Sequence, residues 1–277
     1  MTHVIKIGGN EMDAPGFLAE LARLVAALVA VPERTVIVHG GGKEIAELQT
    51  RLGVRPVMVD GLRVTDAASL KIAEMVLSGC INKAIVRELL AAGVDAVGLS
   101  GVDGGLLRCR KKCHPAADLG CVGDVDQVRA ELLSRLFDLG VVPVISPVSL
   151  GHDGQTYNVN ADQAAGAVAA SLRARRLDFI SNVPGVLLGG RVLPELAPAL
   201  AEDLIHRGII GAGMIPKVRS ALAALDRGVS QVRIVDLIGL SRGGGTVFVR
   251  PHDSEPAVFG DFIHESEVVS QTRLGER

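Results

Sequence analysis

Short apolar, β-branched runs alternate along this chain with longer segments whose apolar residues recur at helical spacing. "HVIKIGG" is followed by "APGFLAELARLVAALVA" and "RTVIVHGGG" by "KEIAELQTRLG". The rhythm continues through "DAVGLSG", "VVPVISPVS", "ADQAAGAVAASLRA", "LDFISNVPGV", "KVRSALAALDRG" and "VSQVRIVDL". Near-continuously apolar strands, each followed by an amphipathic helix, predict a mostly parallel sheet covered on both faces, an α/β fold. "GGLLRCRKK" reads instead as part of a hairpin. The rhythm fails after Arg250, so 251–277 is expected to be a partly ordered tail. A boundary is expected near Ala174, after a helix and before a new strand at Leu177, dividing the rest into 1–173 and 174–250.

Composition narrows the partners. Hydrophobic residues at 48% and charged ones at 22% exclude the disordered class. The 29 basic and 31 acidic residues are well mixed, leaving no footprint for nucleic acid or an anionic membrane, so a small molecule is the expected partner. "FLAELARLVAALVAVP" is interrupted by Glu20 and Arg23 and is too short to span a bilayer. Strand residues begin at once, without the pattern of a signal peptide, and cytoplasmic residence is expected. With aromatics at 3% and no Trp, a bound nucleotide base would lie between aliphatic side chains and backbone. Cys80, Cys109, Cys113 and Cys121 are expected as free thiols; Cys109, Cys113, His114 and Cys121 crowd together, but structural zinc favours tighter paired spacings.

Ligands of parallel α/β sheets collect at the C-terminal strand ends, and the polar, Gly-rich motifs fall there. Gly8 and Gly9 follow the first strand, His39 to Gly42 the second, and "GLSGVDG" and "NVPG" come later. Neither G-x-x-x-x-G-K-[ST] nor G-x-G-x-x-G is present. Two strand-to-helix glycine turns in one sheet could instead line a phosphate with N–H donors, although either alone could be only a tight turn. Lys6 is a candidate cation beside the first turn, a solvated edge lysine being the plain alternative. Lys217 opens a helix, where the macrodipole disfavours a cation unless an anion lies nearby. Asp162, near another helix start, could be only an N-cap. Arg63 in "GLRVTD" is suited to clamping a carboxylate by paired hydrogen bonds, or is an ordinary surface arginine.

"KIGGN", "HGGGKEI", "GLRVTD", "GLSGVDG", "DLGCVGDV", "YNVNADQAAGA", "SNVPGV", "GMIPKV" and "GTVFV" together resemble the amino acid kinase family, most closely its branch acting on N-acetylglutamate. The resemblance implies a three-layer αβα sandwich with an open, mainly parallel eight-stranded sheet. Residues 1–173 would bind the acylated amino acid and form a homodimer, and 174–250 would bind ATP. The implied reaction transfers the γ-phosphoryl group of MgATP to the side-chain carboxylate of N-acetyl-L-glutamate, giving an acyl phosphate for arginine synthesis. By position, Lys6 and Lys217 match phosphate-neutralising lysines, and Asp162 the carboxylate that holds both. Gly8 and Gly9 match the phosphate turn; Gly41 and Gly42 match N–H donors at the substrate. Arg63 and Asn158 match the substrate clamp, and Asn182, Gly213 and Met214 fall in nucleotide-binding segments. Mg²⁺ is implied by ATP, with no protein ligand assigned.

Val102 and Asn182 stand where many relatives carry lysine and aspartate. With the basic "RCRKK" stretch they are similar to a related kinase acting on aminoadipate linked to a carrier protein, although "GLRVTD" lacks that enzyme's insertion. The early first strand implies an arginine-insensitive homodimer. A catalytically inactive amino-acid or nucleotide sensor on the same scaffold is the alternative of another class.

Overall fold

The computed structural model describes residues 1–31, 33–211 and 213–250. The chain opens with β1 (Thr2–Ile7), α1 (Gly9–Met12), α2 (Phe17–Val29), β2 (Arg34–His39), α3 (Gly42–Arg51), β3 (Met58–Val59) and β4 (Leu62–Arg63). Then come α4 (Ala67–Glu74), a π-helical turn (Met75–Ile81), α5 (Asn82–Ala91), β5 (Ala96–Ser100), a 3₁₀ turn (Asp103–Gly105), β6 (Leu107–Lys111) and β7 (Val122–Val128). α6 (Ala130–Asp138), β8 (Val142–Ser146), β9 (Val148–Gly151), β10 (Thr156–Val159), α7 (Ala161–Ser171) and β11 (Arg176–Ile180) follow. The described part closes with β12 (Leu187–Leu188), β13 (Arg191–Val192), β14 (Glu195–Leu196), α8 (Pro198–His206), α9 (Ile215–Asp226), β15 (Gln231–Val235), α10 (Leu237–Arg242) and β16 (Thr246–Phe248).

Eight strands form the main sheet in the order β14-β16-β15-β11-β1-β2-β8-β5. All its pairings are parallel except β15 with β16. This is the expected mainly parallel sheet, and alternate residues of its central strands bury two cores. Val4, Val36 and Val38 face one core together with α7 and α9 residues such as Val168 and Val218. Ile5, Ile7 and Ile37 face the other, with Leu21 of α2 and Ile72 and Ile85 of α4 and α5. The two faces explain why these strands read as unbroken apolar runs. The expected boundary near Ala174 falls between α7 and β11, and β11 pairs with β1 in the same sheet. The expected tail lies outside the described residues.

The predicted hairpin exists as β6 against β7, but it belongs to a small closed barrel, β10-β7-β6-β9. That barrel carries β10, where Tyr157 buries its ring and donates its hydroxyl to Asp153 Oδ2 at 2.6 Å. Cys109 of β6 is buried, which together with nearby carboxylates pushes its thiol up to about 12, while Cys80 and Cys113 are exposed. No group of three or more His, Cys, Asp or Glu side chains among the described residues could hold a metal ion.

Two features position the site. α7 is built mostly from small residues, Ala164 to Ala169 with Gly166, all buried, and a methyl at Gly166 would be in ordinary van der Waals contact with Ala224 Cβ at 3.6 Å. Small side chains let α9 pack tightly on α7, which brings the start of α9 to the end of the sheet. Across β1, β11 and β15 runs a buried charge network. Asp178 accepts from Arg233 at 2.7 and 2.8 Å and lies 2.8 Å from His3 Nε2. Burial pushes Asp178 upward, but these hydrogen bonds and charges overcome it and hold the carboxyl at about 2.

Candidate active site

β1 and β2 end side by side, Ile7 level with His39, so their glycine turns are neighbours. Gly40 N–H donates to the Ile7 carbonyl at 2.9 Å. The turns approach so closely that a Cβ on Gly9 would lie 2.7 Å from Glu44 Oε2 and 3.3 Å from Gly41 Cα. A Cβ on Gly41 would collide with Ile81 Cδ1 and reach within 2.9 Å of Leu77 Cδ2. A side chain at either position would force its neighbours to move. Each turn leads into a helix, α1 and α3, whose first N–H groups have no partner within their own helix.

These turns line a cavity of about 230 Å³ together with Lys6, Arg63, Asn158, Asn160 and Asp162. This volume is below the roughly 300–1,000 Å³ of drug-sized ligand pockets, so it suits a small metabolite. Of the residues singled out from sequence, Lys6, Gly8, Gly9, Gly41, Gly42, Arg63, Asn158 and Asp162 all line it.

Lys6 lies in a central strand, not at an edge, and is only 6% exposed. Its Nζ is 2.6 Å from Asp162 Oδ1. That oxygen receives no well-aligned hydrogen bond, so the contact is an electrostatic pairing. Asp162 does not cap its helix. Asn160 is the N-cap, its Oδ1 accepting from the N–H groups of Asp162 and Gln163 at 2.9 and 3.2 Å. Asparagine at the cap leaves Asp162, two positions on, free to face the lysine.

One carboxylate does not hold both lysines. Lys217 Nζ donates to Glu11 Oε1 at 2.7 Å and to the Ile180 carbonyl at 3.3 Å. Asp162 is committed to Lys6, and the short helix α1 presents Glu11 in front of α9. The two ammonium groups nevertheless end at the same edge of the sheet. Lys6 is in register with Phe179, and Lys217 reaches the next residue of that strand.

Arg63 projects from the β3–β4 hairpin, which turns through positive φ at Asp60 and Gly61. Its guanidinium donates to Gln49 Oε1 at 2.6 Å and to the Gly42 carbonyl at 2.7 Å, leaving three of its five N–H groups for a ligand. Half-burial lowers its pKa from the ordinary arginine value. Asn158 Nδ2 donates to Thr65 Oγ1 at 3.3 Å, which fixes its amide at the cavity wall. Asn182, Gly213 and Met214 do not line the cavity. Asn182 and Gly213 are exposed, beyond β11 and before α9, and Met214 is the N-cap residue of α9.

Three contributors were not singled out from sequence. Glu11 is one. Glu44, in the first turn of α3, has its carboxyl pushed up by burial beside Gly9. His39 is the third, fully buried, with burial as the main cause lowering its pKa to about 4. Asn82 Nδ2 lies 3.2 Å from His39 Nε2, and Nδ1 lies 3.1 Å from the Gly40 carbonyl. The amide can only donate, so Nε2 accepts and Nδ1–H donates. The neutral ring is thereby a strut that orients the Gly40 peptide.

The description "Amino acid kinase family" matches residues 1–236. An acetylglutamate kinase of Roseiflexus sp. (strain RS-1) is 54% identical over 254 residues, 91% of this chain and 96% of the relative. An acetylglutamate kinase of Chloroflexus aurantiacus (strain ATCC 29366 / DSM 635 / J-10-fl) is 54% identical over 253 residues, 91% and 98% of the two chains. Among solved structures, smu.665 from Streptococcus mutans UA159 superposes with a TM-score of 0.79 at 29% identity, covering 90% of this chain and 98% of the other.

Proposed function

The chain belongs to the amino acid kinase family, and from that premise we propose the reaction its site supports best: ATP-dependent phosphorylation of the side-chain carboxylate of N-acetyl-L-glutamate, a step of arginine biosynthesis. The observation that carries this reading is the buried Lys6–Asp162 pair on the wall of a small cavity shared with Arg63 and two glycine turns.

The chemistry asks little of the protein beyond alignment and charge. A carboxylate nucleophile is ionised at neutral pH, so no general base is needed, and the neutral, buried His39 is not asked to be one. One carboxylate oxygen bonds to the γ-phosphorus as the bond to the β–γ bridging oxygen breaks, and ADP leaves. Charge accumulates on the phosphoryl oxygens of a loose transition state. Lys6 and the N–H groups of Gly9 and Gly41 face that group, with Lys217 on its other side. A single cation about 4 Å away is worth roughly 4 kcal/mol at an intermediate effective dielectric. Arg63 and Asn158 hold the rest of the acylated amino acid.

ATP lies along the segment from Asn182 to Gly213 and Met214, with the N-terminus of α9 toward its phosphates. Mg²⁺ would enter with the nucleotide and would offset charge on its phosphates. Residues 1–173 form the acyl-amino-acid lobe and the homodimer contact, and 174–250 the ATP lobe. The enzyme works in the cytoplasm as a homodimer, which mass measurement in solution would check.

The 54% identity to acetylglutamate kinases supports this substrate over carrier-linked aminoadipate, and the presence of Lys6, Asp162 and Lys217 weighs against an inactive sensor. A coupled ADP-release assay decides it. Turnover with free N-acetyl-L-glutamate, and an acyl phosphate trapped by hydroxylamine, are the expected results. Turnover confined to carrier-linked aminoadipate, or none with either, would remove the reading.

A further inference from the structure

The pairing of Lys217 with Glu11 has no counterpart among the residues that the family likeness suggested. Glu11 is 5% exposed and Lys217 15%, and 206 positions separate them in sequence. Glu11 sits on α1, the turn that follows Gly8 and Gly9, and its carboxylate folds back so far that Oε2 occupies the space a Cβ on Gly8 would take. Lys217 sits in the first turn of α9 with no acidic residue of its own helix in that turn. There the helix field repels a cation, so an anion must be supplied from elsewhere. Asp162 is engaged by Lys6. Four of the site's charges are therefore matched one to one, each ammonium with its own carboxylate.

We propose that Glu11 is a positioning residue for phosphoryl transfer: its carboxylate holds the Lys217 ammonium against the Gly8–Gly9 turn, where the transferred group must pass. The inference rests on the kinase reading of this site and adds a role to it. A lysine side chain has four rotatable carbons and loses much freedom when fixed, and a nearby carboxylate imposes that order before the nucleotide arrives. The carboxylate also sits close to where phosphate oxygens come. An ordered ammonium helps most where negative charge develops on the transferred group, so the benefit is expected in the chemical step more than in nucleotide affinity.

The test is a double-mutant cycle of Glu11→Gln with Lys217→Ala, read as kcat, as KM for N-acetyl-L-glutamate and as the dissociation constant of a non-hydrolysable ATP analogue. Glu11→Gln is expected to lower kcat by about tenfold or more while both binding constants move less than about threefold. Its effect should vanish in the Lys217→Ala background. Glu11→Asp, which retains the charge, should recover part of kcat. An undiminished effect of Glu11→Gln in the Lys217→Ala background, or a kcat within twofold of the parent, overturns the proposal. Should Glu11→Gln fail to fold, the cycle is run with Glu11→Ala and judged by the same criterion. If the parent enzyme does not turn over N-acetyl-L-glutamate, the substrate reading fails by itself. The Glu11 proposal is then read from the same cycle with whichever acceptor supports ADP release.

Discussion

Lys6 and Asp162, on a central strand and on the first turn of a helix packed over it, meet at 2.6 Å with side chains only 7% and 10% exposed. The pair is a buried cation held ready by a buried anion, and breaking it from either side leaves a charge without water or partner.

Lys6→Met is expected to lower kcat by about a hundredfold or more, the usual cost of losing a donor to developing negative charge. It should also destabilise the fold by about 3–5 kcal/mol through the stranded Asp162. Adding Asp162→Asn should restore much of the stability and none of the activity. Steady-state kinetics beside denaturant unfolding would separate the two effects; retained turnover in Lys6→Met would refute the role of the lysine.

Arg63 reaches Gln49 and Gly42 with one edge of its fork and keeps the remaining N–H groups for substrate. Lysine cannot reproduce two fixed anchors and a planar contact. Arg63→Lys should raise KM for N-acetyl-L-glutamate about ten- to a hundredfold, the worth of one charged hydrogen bond. KM for ATP should change little. Initial rates with each substrate varied in turn would check this, and equal losses in both KM values would contradict it.

His39 is neutral in the folded protein down to a pH of about 4, whereas an unfolded histidine takes up its proton near pH 6.5. Above pH 6.5 neither state is protonated and the residue is silent. As pH falls from 6.5 toward 4 only the unfolded chain binds the proton, so stability declines by about 3 kcal/mol from this residue. In His39→Gln that part of the decline should be absent. Urea unfolding of both proteins at pH 7.5 and pH 4.5 gives the comparison, and parallel losses would show that His39 is not the source.

Asp178 also weakens the fold on acidification, but over a lower pH window and because its charged form, not a neutral one, is the form the fold holds. Its carboxyl is held at about 2, below the unfolded value, so its contribution is complete above the ordinary carboxylate range and disappears as pH falls toward 2. Asp178→Asn strands Arg233 and should cost about 3–5 kcal/mol. Adding Arg233→Met should return part of that. Thermal unfolding of the single and double variants measures it, and a silent Asp178→Asn would show that the network contributes nothing to stability.

Much of this was legible in the residues because period and punctuation agree. Strands apolar on both faces gave the layered sheet, and glycines at the ends of β1 and β2 marked the edge where the cavity lies. Helix α4 to α5 was harder to read. A π-helical turn at Met75–Ile81 is inserted between them, and nothing in the local spacing of apolar residues announces it. The small barrel was also hidden, because β6 lies against β9 only after a long stretch of chain has intervened. Glu11 was missed for a similar reason: nothing local distinguishes a glutamate in a four-residue helix until Lys217 is folded onto it. Asp162 carried the right residue type but an ambiguous position, and only the cap at Asn160 shows which role is taken.

Tyr157 is the chain's single tyrosine, and there is no tryptophan. Its neighbour Asn158 lines the cavity, and its hydroxyl is tied to Asp153 at 2.6 Å. Tyrosine emission therefore originates at one spot on the strand next to the acceptor site, from a phenol that donates a hydrogen bond to a carboxylate. A single intrinsic fluorophore, buried on the strand that carries Asn158, thus reports on the packing of that strand in the unlabelled enzyme.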